Sequence, residues 1–405
     1  MFKTIAKASI LRGCGSLISF ASTFLVAGLF DANGLGIYQL TLSVLLGIGI
    51  IFRYGLDFLA LKEVSVANKT DINLTDYIYA SLLVSIVTLT ITLSIYHLLP
   101  FDLHGISFPF AYLSGVAMAS LLILVAYLKA TSRPLSAIFH ESLMWQLILL
   151  AGIIGLYLNN NKLTPKSLSI AFLAAVLTSF SSAIFSTRAN IKFSPPIPAK
   201  IYDKLSNAFP LFLFSIFAYI NGSLGLYLAG IFFHTTGAGL YSLPQKLLML
   251  FSMFASVLNA IYFPKLALCF KNIDKEGFFK LLKQYYFYNT GIGLIIATTL
   301  LLSGKILPLV NEGFSSSIQI LKTLLLGQCF TIVLGNFGPI LLIIDRTMFS
   351  LLGLTLSSIF MIAFVAMTQE HGIITVAWAW TASSLIGGSI TLAGMLHTIK
   401  RHFSS

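Results

Sequence analysis

The sequence predicts an all-α integral membrane protein with about twelve transmembrane helices in two pseudo-symmetric lobes of six. Three observations predict this fold class: the composition, a series of long apolar runs, and a helical hairpin motif that recurs half a chain later. Of the 405 residues, 57% are hydrophobic and only 9% are charged, whereas soluble domains carry roughly 25% charged residues. The composition therefore excludes a soluble globular protein.

The apolar runs are long enough to span a bilayer as helices. About 20 apolar residues cross the roughly 30 Å hydrocarbon core, and a helix satisfies its own backbone hydrogen bonds in lipid. The breaks between runs place the helices at 13–30, 37–61, 77–99, 107–128, 142–158 and 167–187, and then at 207–233, 239–263, 284–303, 317–343, 350–368 and 373–396.

A helical hairpin motif occurs twice along the chain. In both copies, LFDANGLGIYQL and IFFHTTGAGLYSL, an apolar run ends in a Gly-x-Gly-x-Tyr turn and a second apolar run follows. Glycine suits a tight turn because it adopts backbone angles that other residues avoid. Tyrosine at the start of the next helix suits the membrane boundary, with its ring among the headgroups and its hydroxyl in water. Chance recurrence is the alternative, but four pairs match at one offset of 203 residues: Gly34 and Gly237, Gly36 and Gly239, Tyr38 and Tyr241, and Leu40 and Leu243.

The basic residues predict the orientation of the helices. Cytoplasmic loops are enriched in Lys and Arg, and with the N-terminus inside, most of the 25 basic residues fall on the inner side. The outer loops then hold only Lys162, Lys166 and Lys305, so both termini are predicted to be cytoplasmic. A basic segment containing SPPIP is expected to be an extended connector. The predicted divisions are an N-terminal lobe at 1–187, a cytoplasmic connector at 188–206 and a C-terminal lobe at 207–405.

Two charged residues fall inside the second predicted helix. Arg53 follows the apolar run SVLLGIGIIF, and Asp57 comes one turn later. Ionisable residues are costly in lipid, so each is a functional hypothesis. One interpretation is a local ion pair along one helix face. The other is that Arg53 faces a cavity and binds an anion, because the guanidinium fork matches phosphate oxygens.

Three further cations allow both a functional and a simpler interpretation. Lys246 follows Pro244 in the second copy of the hairpin, so a cavity shared with Arg53 would receive both, although it is also close enough to the outer headgroups to snorkel. Lys322 lies still nearer the outer end of its helix, which favours snorkelling. Arg12 fits a topology determinant, or a cation that draws an anionic headgroup from the inner leaflet.

Polar side chains in the paired hairpins are candidates for binding sugar hydroxyls. Hydrogen bonds between helices are the alternative for them. His140 and Glu141, at the start of the fifth predicted helix, are expected at the inner interface, with lining of the inner mouth of the cavity as the alternative. No His, Cys or acidic residues have metal-ligand or catalytic spacing, and the basic residues form no contiguous patch, so we predict no enzyme, no metal or other cofactor, and no nucleic-acid partner. The polar side chains proposed for sugar binding are Gln39, Asn207, Asn221, Gln245 and Asn259. Tyr38 and Tyr241 are further candidates for the same cavity.

The segment GLGIYQLTLSVLLGIGIIFRYGLDFLALKEVSVA at 34–67 resembles the second-helix region of polysaccharide-repeat flippases of the O-antigen (Wzx) type. That family shares a Gly-x-Gly-x-Tyr turn, a long apolar helix, a tyrosine- or leucine-glycine step, and a basic-acidic inner end. The segment GAGLYSLPQKLLML at 237–250 resembles the family's eighth helix. Related multidrug exporters of the multidrug/oligosaccharidyl-lipid/polysaccharide (MOP) superfamily share this MATE-like architecture.

The resemblance implies a flippase that moves undecaprenyl-diphosphate-linked oligosaccharide across the bacterial inner membrane by alternating access. It implies a cationic cavity between the lobes, formed largely by helices 1, 2, 7 and 8, with membrane lipids around it. Arg53, Asp57 and Lys246 are the first candidates for that cavity. Helices 1 and 7 depart from an arginine-rich cavity because neither carries a charge well inside its span.

Two other functions compete with the flippase. A multidrug exporter of the same fold would need a carboxylate deep in a lobe to carry a coupling ion, and Asp57 is the only acid predicted inside a span. A membrane polymerase or ligase would use long outer loops, which the prediction lacks. Coupling to a proton or sodium gradient, the sugars of the repeat unit and pairing with a polysaccharide polymerase stay open.

Overall fold

The computed structural model is helical throughout the part of the chain that it describes. Nine helices in that part are long and apolar enough to cross a membrane. The protein is therefore a multi-pass α-helical membrane protein, as predicted. The described residues are 2–66, 74–98, 107–131, 133–159, 162–187, 198–303, 307–334, 337–343 and 347–403.

Two of the nine membrane-spanning candidates are pairs of helices joined at a break. The candidates Ile10–Arg53 and Lys200–Ala255 have 44 and 56 residues, and each contains a non-helical residue, at Asp31 and at His234. At a rise of 1.5 Å per residue, either is long enough for about two crossings. A shorter apolar helix, Leu74–Thr90, falls on the third predicted span. The count of twelve stays a prediction.

The first compact unit comprises Met1–Phe30 with Ile37–Tyr219. Its central helix, Phe108–Ala130, is rich in small residues and is buried along most of its length. Small residues let helices approach closely in a membrane. Its helices are α1 (Phe2–Arg53), α2 (Leu56–Val66), α3 (Leu74–Leu98), α4 (Phe108–Ala130), α5 (Pro134–Ile138), a π-helix (Phe139–Met144), α6 (Trp145–Leu158), α7 (Pro165–Thr187) and the first part of α8 (Pro198–Lys271).

The second compact unit comprises Asp31–Gly36 with Ile220–Ser405. Its α14 packs against α13 and α11. The helix predicted at 317–343 is divided into α11 and α12 in the structure. Of the predicted connector, 188–197 lies outside the described residues, and α8 begins at Pro198; the lobe boundaries stay a prediction. The remaining helices are α9 (Lys275–Ser303), α10 (Leu307–Val310), a 3₁₀ turn (Glu312–Phe314), α11 (Ser317–Leu334), α12 (Gly338–Ile343), α13 (Thr347–Thr368) and α14 (Ile374–Phe403).

The hairpin turns are not made by glycine, which corrects the sequence prediction. The residues with positive φ are Asp31 at 62° and His234 at 60°, and they are separated by the same 203 positions as the motif. Asp31 compensates by capping the next helix, since its Oδ1 accepts from the backbone N–H of Asn33 at 2.7 Å and of Gly34 at 3.0 Å. Asp at an N-cap satisfies amides that the helix leaves free.

The motif glycines instead allow the two hairpins to touch. A Cβ added at Gly36 would overlap the carbonyl oxygen of Thr235, and a Cβ added at Gly239 would overlap that of Ala32. The two contacts are related by the 203-residue offset, since Ala32 corresponds to Thr235 and Gly36 to Gly239. The hydroxyl of Thr235 also donates to Oδ1 of Asn33. Within the second unit, the hairpin ends therefore form a reciprocal contact of local two-fold character.

Candidate functional site

The charged pair Arg53 and Asp57 lies at a break between two helices. α1 ends at Arg53 and α2 begins at Leu56, so the helix predicted at 37–61 is interrupted. Nη1 of Arg53 lies 3.0 Å from Oδ2 of Asp57, and each side chain is 13% exposed. Arg53 is at the C-terminal end of α1 and Asp57 is in the first turn of α2, where each complements the partial charge of its helix end. The local ion pair therefore forms.

Aromatic packing fixes the shape of this break. Tyr54 and Gly55 have φ values of 51° and 71°, and a left-handed backbone costs a non-glycine residue about 1–2 kcal/mol. The ring of Tyr54 stacks on Phe212 with 4.5 Å between centroids and 18° between planes. A Cβ at position 55 would come within 2.8 Å of the backbone nitrogen of Phe212. Close contact with α8 thus holds Arg53 in place.

The guanidinium of Arg53 keeps unused hydrogen-bonding capacity. Its Nε is buried and has no hydrogen-bond partner among the described residues, and the same holds for Oδ1 of Asp57. Cζ of Arg53 lies 5.6 Å from the ring centroid of Phe58. Arginine has five N–H donors, and a buried donor without a partner costs about 1–3 kcal/mol. An anionic oxygen reaching Nε would remove that cost.

The other predicted cations differ in exposure. Lys246 is partly buried on α8, two residues after Pro244, which is itself buried. Lys322 on α11 and Arg12 on α1 are exposed, and snorkelling and a role in topology stay predictions for them. Lys246 is the second partly buried cation among the residues predicted to bind substrate.

The polar candidates make hydrogen bonds between helical segments. Nε2 of Gln39 donates to Oγ1 of Thr23 at 3.1 Å, and Nε2 of Gln245 donates to the carbonyl oxygen of Gly222 at 3.0 Å. Nδ2 of Asn221 lies 3.0 Å from Oγ of Ser357 and 3.1 Å from Oγ of Ser358. These amide nitrogens therefore make hydrogen bonds between helical segments, which was the alternative to sugar binding. Asn259 behaves similarly, since its Oδ1 accepts from Tyr285 at 2.9 Å, whereas Asn207 is exposed.

Tyr38 and Tyr241 do not lie with their hydroxyls in water, which corrects the prediction. Tyr38 is 4% exposed and Tyr241 is fully buried. The hydroxyl of Tyr241 has no hydrogen-bond partner in the described part of the chain and sits where a Cβ at Gly225 would lie. The ring fills the space left by that glycine, so packing between helices outweighs the headgroup preference.

A charged cluster on α2, α3 and α8 was missed by the sequence prediction. Lys204 forms an ion pair with Glu63, and the hydroxyl of Tyr77 donates to the same carboxylate oxygen. Nζ of Lys204 lies 3.1 Å from the Tyr77 hydroxyl. Tyr77 is fully buried. Within the first unit, the cluster joins the beginning of α8 to α2 and α3, and 141 residues separate Lys204 from Glu63.

His140 and Glu141 lie on the π-helix. His140 is 2% exposed, so protein surrounds it, whereas Glu141 pairs with Lys129 at 2.7 Å and remains partly exposed. Two side chains donate to backbone carbonyls of this helix: Oγ of Ser179 to the carbonyl oxygen of His140 at 3.0 Å, and Nε1 of Trp145 to that of Glu141 at 2.6 Å. π-Helical turns are frequent at functional sites.

The family of the protein follows from its sequence once this architecture is known. Residues 3–270 match the family described as polysaccharide biosynthesis protein. The chain belongs to this family. No curated protein matches the chain.

Solved structures show the same fold at low sequence identity. The lipid II flippase MurJ in an inward closed conformation has a TM-score of 0.73 and 14% identity, covering 98% of this chain and 90% of that one. An inward-facing multidrug resistance MATE family transporter of the MOP superfamily has a TM-score of 0.72 and 13% identity, covering 98% and 99%. A MOP superfamily transporter from Pyrococcus furiosus has a TM-score of 0.62 and 14% identity, covering 99% and 96%. The family member described here therefore has the MurJ- and MATE-like fold.

Proposed function

We propose that the protein is a flippase for undecaprenyl-diphosphate-linked oligosaccharide repeat units, such as those of O-antigen. It would move them from the cytoplasmic to the outer leaflet of the bacterial inner membrane by alternating access. Membership of a polysaccharide biosynthesis family supports a polysaccharide precursor as the substrate. The observation that carries the proposal is Arg53, a nearly buried guanidinium with a free Nε donor.

A diphosphate suits Arg53 better than a neutral or cationic substrate does. Phosphate oxygens accept two parallel N–H bonds from a guanidinium. The ion pair with Asp57 uses Nη1 of Arg53, and Nε has no partner among the described residues. Asp57 keeps the pair close to neutral when no substrate is bound, which lowers the cost of a charge in the membrane. A bound diphosphate would contact Arg53 together with Asp57 or in place of Asp57. Lys246, on the other copy of the hairpin, is the second cation that we propose for binding the substrate.

Single substitutions in a bacterial host lacking its own flippase test this function. We expect Arg53→Ala to lose at least about tenfold of surface polysaccharide, since a hydrogen bond to a charged group contributes about 1.5–3 kcal/mol. Arg53→Lys should recover part of the signal because it restores charge without the fork. Lys246→Ala should weaken transport, whereas Lys271→Ala, which removes an exposed cation, is the control that should not.

The outcomes separate the function from the site. If the wild-type protein fails with the matching repeat unit at normal membrane abundance, the flippase proposal is wrong. If the wild type restores polysaccharide and Arg53→Ala and Lys246→Ala do too, the transport function stands and the assigned residues are wrong. Asp57→Ala should still transport, because it leaves the cation in place.

The alternative is a cation-coupled multidrug exporter of the same fold. One observation favours it: Asp76 is a second acid protected from solvent, since it is 4% exposed. Asp76 lies in the first turn of α3, at the end of a helix rather than deep inside a span. Raised resistance to cationic dyes on expression, without polysaccharide export, would establish the exporter.

A further inference from the structure

The second unit contains a cavity that the predicted site residues do not line. It lies between the later part of α8, α9 and α11, and its volume is about 120 Å³. On that measure one water needs about 10–15 Å³, so the space holds roughly ten water-sized atoms, close to the size of one sugar ring. The first residue along the chain that lines the cavity is Leu248, two residues after Lys246 on the same helix.

Four polar side chains face this cavity among apolar ones. Ser252 and Thr331 already donate to backbone carbonyls of their own helices, at 2.7 Å and 3.1 Å, so their oxygens remain as acceptors. Asn289 and Gln328 are partly buried, and their amides form no side-chain hydrogen bond within the described part of the chain. An amide offers both donors and an acceptor. The two amides thus leave paired donor and acceptor positions free.

The rest of the wall is apolar and uncharged. Phe251 and Phe254 contribute aromatic rings, and Ile292, Ile296 and Ile332 contribute aliphatic surface. No charged side chain belongs to the lining drawn from the described residues. A cation would therefore lack the compensating charge that a low-dielectric site requires, and a carboxylated or phosphorylated group would lack a cationic partner.

We propose that this cavity binds one uncharged sugar residue of the translocated oligosaccharide, with Asn289 and Gln328 holding its hydroxyls. Amides hydrogen-bond hydroxyls as donor and as acceptor, and ring faces pack against the apolar C–H faces of a sugar. Ser252 lies six residues beyond Lys246, about 9 Å along the helix, so a sugar near the diphosphate can reach the cavity. The inference rests on the proposed function and adds a specificity site to it.

Binding of free monosaccharides to the full-length protein in lipid nanodiscs tests the inference by saturation-transfer NMR. The probes are glucose, galactose, N-acetylglucosamine and glucuronate. We expect at least one neutral sugar to bind and glucuronate not to bind. Gln328→Met and Asn289→Leu, which keep size and remove the amide, should each weaken that binding about fivefold, since one lost hydrogen bond contributes about 1 kcal/mol. Gln319→Met, on the exposed side of the same helix, is the matched control.

Several results would overturn the inference. The first is that no neutral sugar binds. The second is that Gln328→Met binds sugar as well as the wild type does, at equal thermal stability. The third is that sodium chloride stabilises the protein more than choline chloride does and that the amide variants abolish this effect, which would indicate a sodium site. Polysaccharide export by the wild type with no sugar binding would reject this site and leave the flippase function standing. Sugar binding that needs both amides, in a protein that exports no polysaccharide, would support the site and reject the flippase function.

Discussion

At the scale of single residues, the cluster of Glu63, Lys204 and Tyr77 makes the strongest prediction about stability. The side chains of Lys204 and Glu63 are 20% and 28% exposed. Removing one partner of a buried pair costs about 3–5 kcal/mol, and partial exposure reduces this. We expect Glu63→Gln to lower the free energy of unfolding by about 1–2 kcal/mol, measured by thermal unfolding in detergent.

Two comparisons make this prediction specific. Glu276→Gln removes an exposed acid at the beginning of α9 and should leave the unfolding temperature nearly unchanged. The double variant Glu63→Gln with Lys204→Met should recover stability relative to Glu63→Gln, because it leaves no unpaired charge. A double variant less stable than either single variant would show that the ion pair does not act as a unit.

Side chains that act across the chain are the ones that sequence reasoning missed. Arg53 and Asp57 were found because four residues separate them, a spacing visible in the sequence. Glu63 and Lys204 meet only through tertiary structure, and the sequence offers no spacing rule for a separation of 141 residues. Asp76 and His140 stand at the ends of apolar runs, where hydropathy does not distinguish buried from interfacial positions.

At the scale of elements, the hairpin motif predicts matched effects in its two copies. A Cβ at Gly36 or Gly239 would overlap a backbone carbonyl, which cannot rotate away as a side chain does. Overpacking of this kind costs about 1–3 kcal/mol. We therefore expect Gly36→Ala and Gly239→Ala to lower the thermal unfolding temperature by similar amounts.

The chain provides a control glycine on each of the two helices. A Cβ at Gly13 on α1 or at Gly222 on α8 would meet no atom within 4 Å. Alanine is favoured over glycine inside a helix by about 0.5–1 kcal/mol, so Gly13→Ala and Gly222→Ala should preserve or raise stability. Equal destabilisation by all four variants would show that the reciprocal contact between the hairpins is not what the motif glycines provide.

For the hairpins, the sequence revealed the repeat but not the role of its glycines. The 203-residue repeat was visible because apolar periodicity and glycine spacing are local properties. The role of the glycines was misassigned, because the sequence cannot distinguish a glycine that turns the chain from one that admits a neighbouring backbone. The positive φ values instead fall on Asp31 and His234, and the capping carboxylate of Asp31 shows why Asp suits its position.

At the scale of the whole molecule, hydropathy was sufficient for the fold class. Only helices satisfy the backbone in lipid when every element is a long apolar run, so 57% hydrophobic residues and 9% charged residues leave little choice of architecture. Orientation depends on a weaker signal, the distribution of Lys and Arg between the two sides. That signal predicts that the beginning of α7 lies outside and the beginning of α9 lies inside.

Single-cysteine labelling tests this orientation in intact cells. Cys14, Cys269 and Cys329 are first replaced by alanine, and a cysteine is then placed by Lys166→Cys on α7 or by Lys275→Cys on α9, two exposed positions. We expect a membrane-impermeant maleimide to label the first variant in intact cells and the second only after permeabilisation. The opposite pattern would invert every helix, and a flippase with its basic loops outside would no longer present Arg53 to a substrate made in the cytoplasm.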